Sequence, residues 1–224
     1  MHLILLGPAG SGKGTLARML VERDGYVALD MGAELRRFAS QPFEEARRLK
    51  EELARGNMAP TPLVMDVLER RMAEARGSRF VLDGVPRTPD QALEFVKRLR
   101  AGRIQIDRLL LLDAPREILK SRLLLRRYCA RCGSIYNLAH SGPYPVNGRC
   151  LCGGDLQQRQ DDHSAGIKRR FKLYDELTRP ALEMLEREGV TTVRIDASRS
   201  AEETYEAVRL ALRPRAPERA ALVR

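Results

Sequence analysis

The sequence predicts an α/β fold, a three-layer core built around a central parallel sheet, and three observations carry that reading. A short apolar run leads into a glycine-rich loop and then into a helical pattern. Similar short apolar runs recur along the chain, each followed by an aspartate. Stretches with helical spacing and recognisable start signals fill the gaps.

Residues 2–6 form the first run and end at Gly7, which suits a buried strand; residues 15–22 have helical spacing and stop near Gly25. Later strands are expected at 80–82, 108–112 and 191–195, followed by Asp83, Asp113 and Asp196. Thr61 and Pro62 supply an N-cap and a first-turn proline for a helix over 63–75. Thr88 and Gln91 have capping-box spacing before a helix over 92–100, and Ser200 and Glu203 repeat it for the last helix. A longer helix is expected over 165–188, kinked or interrupted at Pro180. Beyond Arg213 the prolines and charges predict a frayed tail.

Two stretches break this alternation. Residues 30–59 are helical in pattern and heavily charged. Residues 128–158 hold all four cysteines together with seven Gly and Pro residues, a composition that buries little apolar surface and needs a staple. Both read as mobile modules inserted into one core comprising 1–29, 60–127 and 159–213, with a tail at 214–224 and no internal repeat.

Composition sets limits. With 224 residues, 43% of them hydrophobic and 31% charged, the chain is long enough for one sizeable core and is not disordered in character. No apolar run approaches the roughly 18 residues a membrane span needs, and the first residues lack a basic segment. A cytoplasmic protein without membrane contact is the expectation. The formal charge of +10 sets 34 Arg and 6 Lys against 30 Asp and Glu, and most of the arginines are read as occupants of solvated faces. Bulk charge therefore decides nothing, and particular arginines have to be argued singly. The four cysteines cluster between Cys129 and Cys152, which in a cytoplasmic chain points to a metal rather than a disulfide framework.

The loop after the first strand runs Gly7, Pro8, Ala9, Gly10, Ser11, Gly12, Lys13, Gly14, Thr15 and opens the first helix. Small residues let successive backbone N–H groups converge on a phosphate, and the helix N-terminus adds its positive end. Lys13 offers a full charge to the β- and γ-phosphates of a nucleotide, and Thr15 a hydroxyl for phosphate or Mg²⁺. This is a phosphate-binding loop (P-loop), with Gly14 placed between the lysine and the hydroxyl residue.

The loop resembles that of nucleoside monophosphate kinases, and specifically of the adenylate kinase family with a long, zinc-bearing lid. The resemblance extends from His2 to about Leu212. Gly32 and Arg36 sit where that family has its Gly-Asp-x-Leu-Arg segment, and Asp83, Gly84, Val85, Pro86, Arg87, Thr88 and Gln91 resemble the family's Asp-Gly-Phe-Pro-Arg-Thr-x-x-Gln signature. Arg122, Arg126 and Arg127 match its hinge arginines, and Arg159, Asp161, Asp162 and Arg170 its Arg-x-Asp-Asp segment and the arginine after it.

The resemblance implies phosphoryl transfer between ATP and AMP to give two ADP. Residues 30–59 become a monophosphate-binding insertion and 128–158 a lid that excludes water; the partners are small nucleotides and not nucleic acid, and the protein is expected to be a monomer. Lys13, Arg87, Arg126, Arg159 and Arg170 take the catalytic roles, stabilising transferred charge by position. ATP falls to Gly10, Ser11, Gly12, Lys13, Gly14, Thr15, Arg122, Arg126, Ile135, Tyr136 and Arg199. Arg122 and Arg126, four apart, are expected on one helical face. AMP falls to Met31, Arg36, Asn57, Met58, Ala59, Gly84, Val85, Pro86, Arg87, Gln91, Arg159 and Arg170. Asp83 is expected to hold Mg²⁺ through water, and Asp161 and Asp162 to anchor the closed lid. None of the three histidines is expected to take part.

Cys129, Cys132, Cys150 and Cys152 resemble the family's zinc ligands, so a structural Zn²⁺ is implied, although the second pair is Cys-x-Cys where the family has two intervening residues. Other departures are Met31, Ala33, Val85, Leu125 and Ala197, which bear on base recognition or lid motion and not on the phosphate grip. Two rival readings remain: a kinase acting on GMP, UMP or CMP, and a nucleic-acid-binding zinc protein with a vestigial nucleotide site. Only 5% of residues are aromatic and Trp is absent, which disfavours the second.

Overall fold

The computed structural model describes residues 1–54, 57–139, 148–159 and 161–213. The chain opens with β1 (Leu3–Leu6), α1 (Lys13–Asp24), β2 (Val27–Asp30), α2 (Met31–Ala39), α3 (Glu44–Ala54) and α4 (Thr61–Glu74). It continues through β3 (Phe80–Asp83), α5 (Pro89–Arg100), β4 (Arg108–Asp113) and α6 (Arg116–Leu124). A small antiparallel sheet follows, made of β5 (Arg126–Cys129), β6 (Ile135–Asn137) and β7 (Leu156–Gln157). The last part is α7 (Ser164–Leu173), α8 (Arg179–Arg187), β8 (Thr192–Asp196) and α9 (Ala201–Leu212).

The main sheet has the order β2-β3-β1-β4-β8 with every pairing parallel. All four side chains of β1 are buried, as befits a central strand covered on both faces. Alternation decides which face each residue serves. Ile4, Leu6, Leu82, Leu109 and Leu111 pack with α2, α4, α5 and α8. Leu3, Leu5, Val81, Leu110 and Leu112 pack with α1 and α9 on the other side. Each such leucine or isoleucine contributes about 1.5–3 kcal/mol by leaving water. The chain runs from β1 outward to β2 on one side, and from β3 across to β4 on the other. The crevice this leaves beyond the carboxyl ends of the central strands is where ligands of such sheets bind.

Several sequence expectations change in detail. β2 was not foreseen, being four residues with an alanine inside. The cap of α4 is Pro60 and not Thr61, which is already helical; no side chain caps this helix. The helix expected over 165–188 is divided by a π-helical turn at Tyr174–Thr178, just ahead of Pro180, whose missing N–H cannot close an ordinary turn. Arg126 does not share a helical face with Arg122. The helix stops at Leu125, and Arg126 pairs with Asn137 as the first residue of β5, so the hinge arginines sit on two different elements. The tail beyond Arg213 and the Gly142 to Pro145 part of the cysteine-bearing stretch lie outside the described residues. Among the described residues no helix is long and apolar enough to cross a membrane.

Candidate active site

The loop between β1 and α1 turns as tightly as its glycines allow. Gly7 has φ 148°, and a Cβ there would stand 2.1 Å from the Leu112 carbonyl oxygen, so no other residue fits between β1 and β4. Gly12 caps α1 in the left-handed region. Lys13 folds back over the loop, donating from Nζ to the carbonyls of Gly7 at 2.9 Å and Pro8 at 3.0 Å. Burial, only partly offset by Asp83, brings its ammonium down to about 8, with Arg87, Arg170 and Arg126 adding to the effect.

Asp83 closes β3, in register with Asp30 and Leu5. Its residue exposure is 9%, and burial raises its carboxyl above the usual range while Lys13 opposes the rise. The aspartates ending β4 and β8 are spent on their own turns: Asp113 accepts from the N–H of Ala114, and Asp196 from that of Ser198. The Asp83 carboxylate has no hydrogen-bond partner among the described residues. A buried carboxylate beside the mouth of the loop, without a protein donor, fits a divalent cation held through its water shell.

Lys13 and Asp83 lie on the wall of one cavity of about 770 Å³. Arg36 from α2, Arg87 ahead of α5, Arg122 from α6, Arg126 from β5, Arg159, and Arg170 from α7 line the same cavity. Arg36, Arg87 and Arg159 have no side-chain partner among the described residues. The Arg87 guanidinium lies over Gly84, where a Cβ would stand 2.5 Å from it. Arg159 is brought down to about 10 by burial and by the neighbouring Arg126, Arg36 and Arg170. Arg170 is lowered for the same first reason. Like charges held together at such a cost are a receptor for a polyanion.

Asp162 organises this cluster from beneath. It is 0% exposed and accepts both Nε and Nη2 of Arg126 at 2.7 Å, and Nη1 of Arg170 at 2.8 Å. Asp161, about half exposed, reaches Arg170 at 3.2 Å from the solvent side. Arg122 is committed differently: it donates to the carbonyls of Ala197, Ser198 and Arg199, fixing the loop between β8 and α9.

Other expected site residues divide between two cavities and the core. Gly10, Ser11, Gly12, Gly14, Thr15, Ile135, Tyr136 and Arg199 line the large cavity. Met58 and Gly84 line a smaller one of about 110 Å³ that shares Lys13, Arg87 and Arg170 with it. Asn57, Ala59, Met31, Val85, Pro86 and Gln91 line neither. Met31 is 1% exposed and, with Val85, packed in the core. Gln91 forms half of the expected capping box. Thr88 accepts from the Gln91 N–H, but the Gln91 amide oxygen accepts from the N–H of Arg87 at 2.8 Å instead of returning to Thr88. The amide thereby steadies the backbone of a cavity arginine. Neither His2 nor His163 lines either of these cavities; His2 stacks on Phe80, and His163 caps α7. His140 lies outside the described residues. Sequence reasoning missed Arg18 and Leu151, both on the large cavity's wall. Arg18 was legible as one turn beyond Thr15 on the same helix face.

The four cysteines are free, and their Sγ atoms all lie within 4.8 Å of one another. Cys129 and Cys152 are 3.5 Å apart, and Cys132 and Cys150 3.3 Å. A tetrahedral zinc with Zn–S bonds of about 2.3 Å separates its sulfurs by about 3.8 Å, so the set fits that ion. The N–H groups of Arg131 and Cys132 point at Cys129 Sγ, as thiolates require. Gly154 makes the Cys-x-Cys turn feasible, since a Cβ there would stand 2.7 Å from Cys129 Sγ. Replacing Cys129 by Ser, or chelating the metal, is expected to lower the melting midpoint by about 5–10 °C. Turnover at 25 °C with saturating nucleotides should change less than about twofold; an unchanged midpoint would rule out a structural metal.

The family model for adenylate kinase matches residues 5–190. The chain is 36% identical to an adenylate kinase of Symbiobacterium thermophilum over 199 residues, 88% of this chain and 92% of the relative. It is 33% identical to one of Thermococcus onnurineus over 210 residues, 93% and 92% of the two chains. With one of Archaeoglobus fulgidus the identity is 32% over 191 residues, 85% and 88% respectively.

Proposed function

Since this chain belongs to the adenylate kinase family, which interconverts ATP plus AMP with two ADP, we propose that its large cavity seats the two nucleotides end to end, reacting phosphates between Lys13 and the arginine cluster. The observation that carries this is the convergence of Arg36, Arg87 and Arg159, whose guanidinium groups have no partner among the described residues, on one cavity with Lys13.

The loop N–H groups from Gly10 to Thr15 and Lys13 hold the β- and γ-phosphates of ATP. Arg36 and Arg87 grip the AMP phosphate. Arg126, Arg159 and Arg170 surround the phosphoryl group in flight, where planar guanidinium forks match its equatorial oxygens. An AMP phosphate oxygen is already a nucleophile, so no general base is required, consistent with two histidines spent on packing and capping. Asp83 and Thr15 are the residues that would hold Mg²⁺, which supplies neutralisation of the β- and γ-phosphate charge. Arg122 serves the donor side indirectly, by fixing the 197–199 loop. The acceptor base falls to the region of Met31, Asn57, Met58, Ala59, Gly84, Val85, Pro86 and Gln91, of which Met58 and Gly84 reach a cavity wall. Cys129, Cys132, Cys150 and Cys152 would hold a structural zinc.

The lid excludes water from the transfer. Ile135 Cδ1 lies 4.0 Å from where a Cβ on Gly14 would stand, so the small sheet closes directly over the start of α1.

Purified protein given ATP, Mg²⁺ and AMP should form two ADP for each AMP consumed. GMP, UMP and CMP should serve as acceptors at least about tenfold more slowly. One ADP and one free phosphate per ATP would overturn the reading. A second outcome follows from Lys13: with its ammonium at about 8, ATP binding at pH 8 raises that value and draws about half a proton onto the protein. Calorimetry in buffers of different ionisation enthalpy measures this uptake, which should vanish near pH 6.5 and in Lys13→Met.

A further inference from the structure

We propose that Leu151, the residue between Cys150 and Cys152, is a donor-side contact that lies against the nucleoside of bound ATP and so sets donor affinity. The inference rests on the reading of the cavity given above. Leu151 is 74% exposed, yet it stands on the wall of the large cavity. An exposed leucine is ordinary in itself; the way this one is held, and what it faces, set it apart. The N–H of Cys150 donates to the Gly154 carbonyl at 2.8 Å and that of Gly153 to the Cys150 carbonyl at 2.7 Å, so the chain doubles back at Leu151. Both flanking sulfurs belong to the four-thiol cluster, and Arg131 donates to the Cys152 carbonyl at 2.9 Å. An apolar side chain pinned on both flanks meets a ligand with little further loss of freedom.

The donor is favoured over the acceptor because the Tyr136 hydroxyl and Cys150 Sγ stand 3.1 Å apart, which sets Leu151 next to β6. Ile135, in β6, has its Cδ1 4.0 Å from where a Cβ on Gly14 would stand, at the start of α1 and the end of the loop assigned to the ATP phosphates. Arg18, farther along α1, and Arg199, Ala201 and Thr204 around the start of α9 line the cavity as well. The acceptor arginine Arg36 comes from α2. Leu151 and Ile135 thus give the donor side an aliphatic cover, able to hold a nucleoside by burial without reading its hydrogen-bonding edge. The contact therefore sets affinity and not base identity.

The test compares Leu151→Ala with Leu138→Ala, a lid leucine 49% exposed and off the cavity wall. Leu151→Ala should raise KM for ATP about fivefold, and KM for GTP as donor by a similar factor. It should leave kcat, KM for AMP, zinc per chain and the melting midpoint at wild-type values, while Leu138→Ala changes none of them. Unchanged KM for ATP would overturn the inference. So would a rise in KM for ATP accompanied by metal loss or by an equal rise for AMP, since either places the effect on the lid as a whole. Failure of the broader reading is separable, because the wild-type chain would then make no ADP from ATP and AMP.

Discussion

Lys13→Met is expected to lower kcat by about a thousandfold or more, the loss of about 4 kcal/mol of transition-state stabilisation. The charge it removes is aimed at the group whose oxygens carry the developing negative charge, and no other residue of the loop carries one. Stability should move the other way. The Lys13 ammonium titrates at about 8 in the folded chain, below the ordinary lysine value, so the folded state holds the charged form at a cost. That cost is present in full below pH 8 and fades as pH rises toward the unfolded value. At pH 7 the variant should therefore melt no lower than wild type, even though the bonds to Gly7 and Pro8 are lost. Near-normal turnover with the fold intact would remove Lys13 from the mechanism. A collapsed melting midpoint would instead mean that its role is structural.

Asp162→Asn should be the most destabilising single change at the site. Its carboxylate is buried without exposure and carries three charge-assisted bonds to Arg126 and Arg170. The amide keeps one acceptor and loses the charge, leaving the Arg126 guanidinium uncompensated and Arg170 with only the exposed Asp161. Breaking such a pair costs about 3–5 kcal/mol, so the melting midpoint should drop by about 6–20 °C. Turnover should fall about tenfold to a hundredfold as the two arginines lose their aim. Asp161→Asn is the comparison: it holds Arg170 from an exposed position and should cost less than about 1 kcal/mol. Equal effects in the two variants would contradict the assignment of Asp162 as the organising carboxylate.

The parts of this fold written in local pattern were legible without coordinates. The apolar runs at 2–6, 80–82 and 108–112 became β1, β3 and β4, because buried parallel strands need continuous apolar sequence, and the run at 191–195 became β8, an edge strand with Arg194 exposed. The phosphate loop was legible because its geometry is set within nine residues. β2 was hidden because four residues with an alanine carry no usable period. The small antiparallel sheet was hidden because its strands are two to four residues long and half-exposed, held by thiols and turns instead of apolar burial. Arg122 and Arg126 show the limit of spacing arguments: four apart in sequence, they are separated by a helix end at Leu125 that only the pairing of β5 with β6 reveals. The convergence of arginines from α2, β5 and α7 came from resemblance alone, since no period in a sequence encodes a meeting of distant segments. Gln91 was half legible, its capping role visible and its bond to the Arg87 backbone not. Leu151 gave no signal at all, because an exposed leucine in a glycine-rich turn looks like any other.

The central claim is that Lys13 and the arginine cluster form one receptor for two nucleotides joined through their phosphates. A compound with two adenosines linked end to end by five phosphates tests it most directly. The account predicts that one molecule binds per chain, competes with both ATP and AMP, and binds far more tightly than either, since one association replaces two. Binding of two molecules per chain, or competition with only one of the nucleotides, would contradict it.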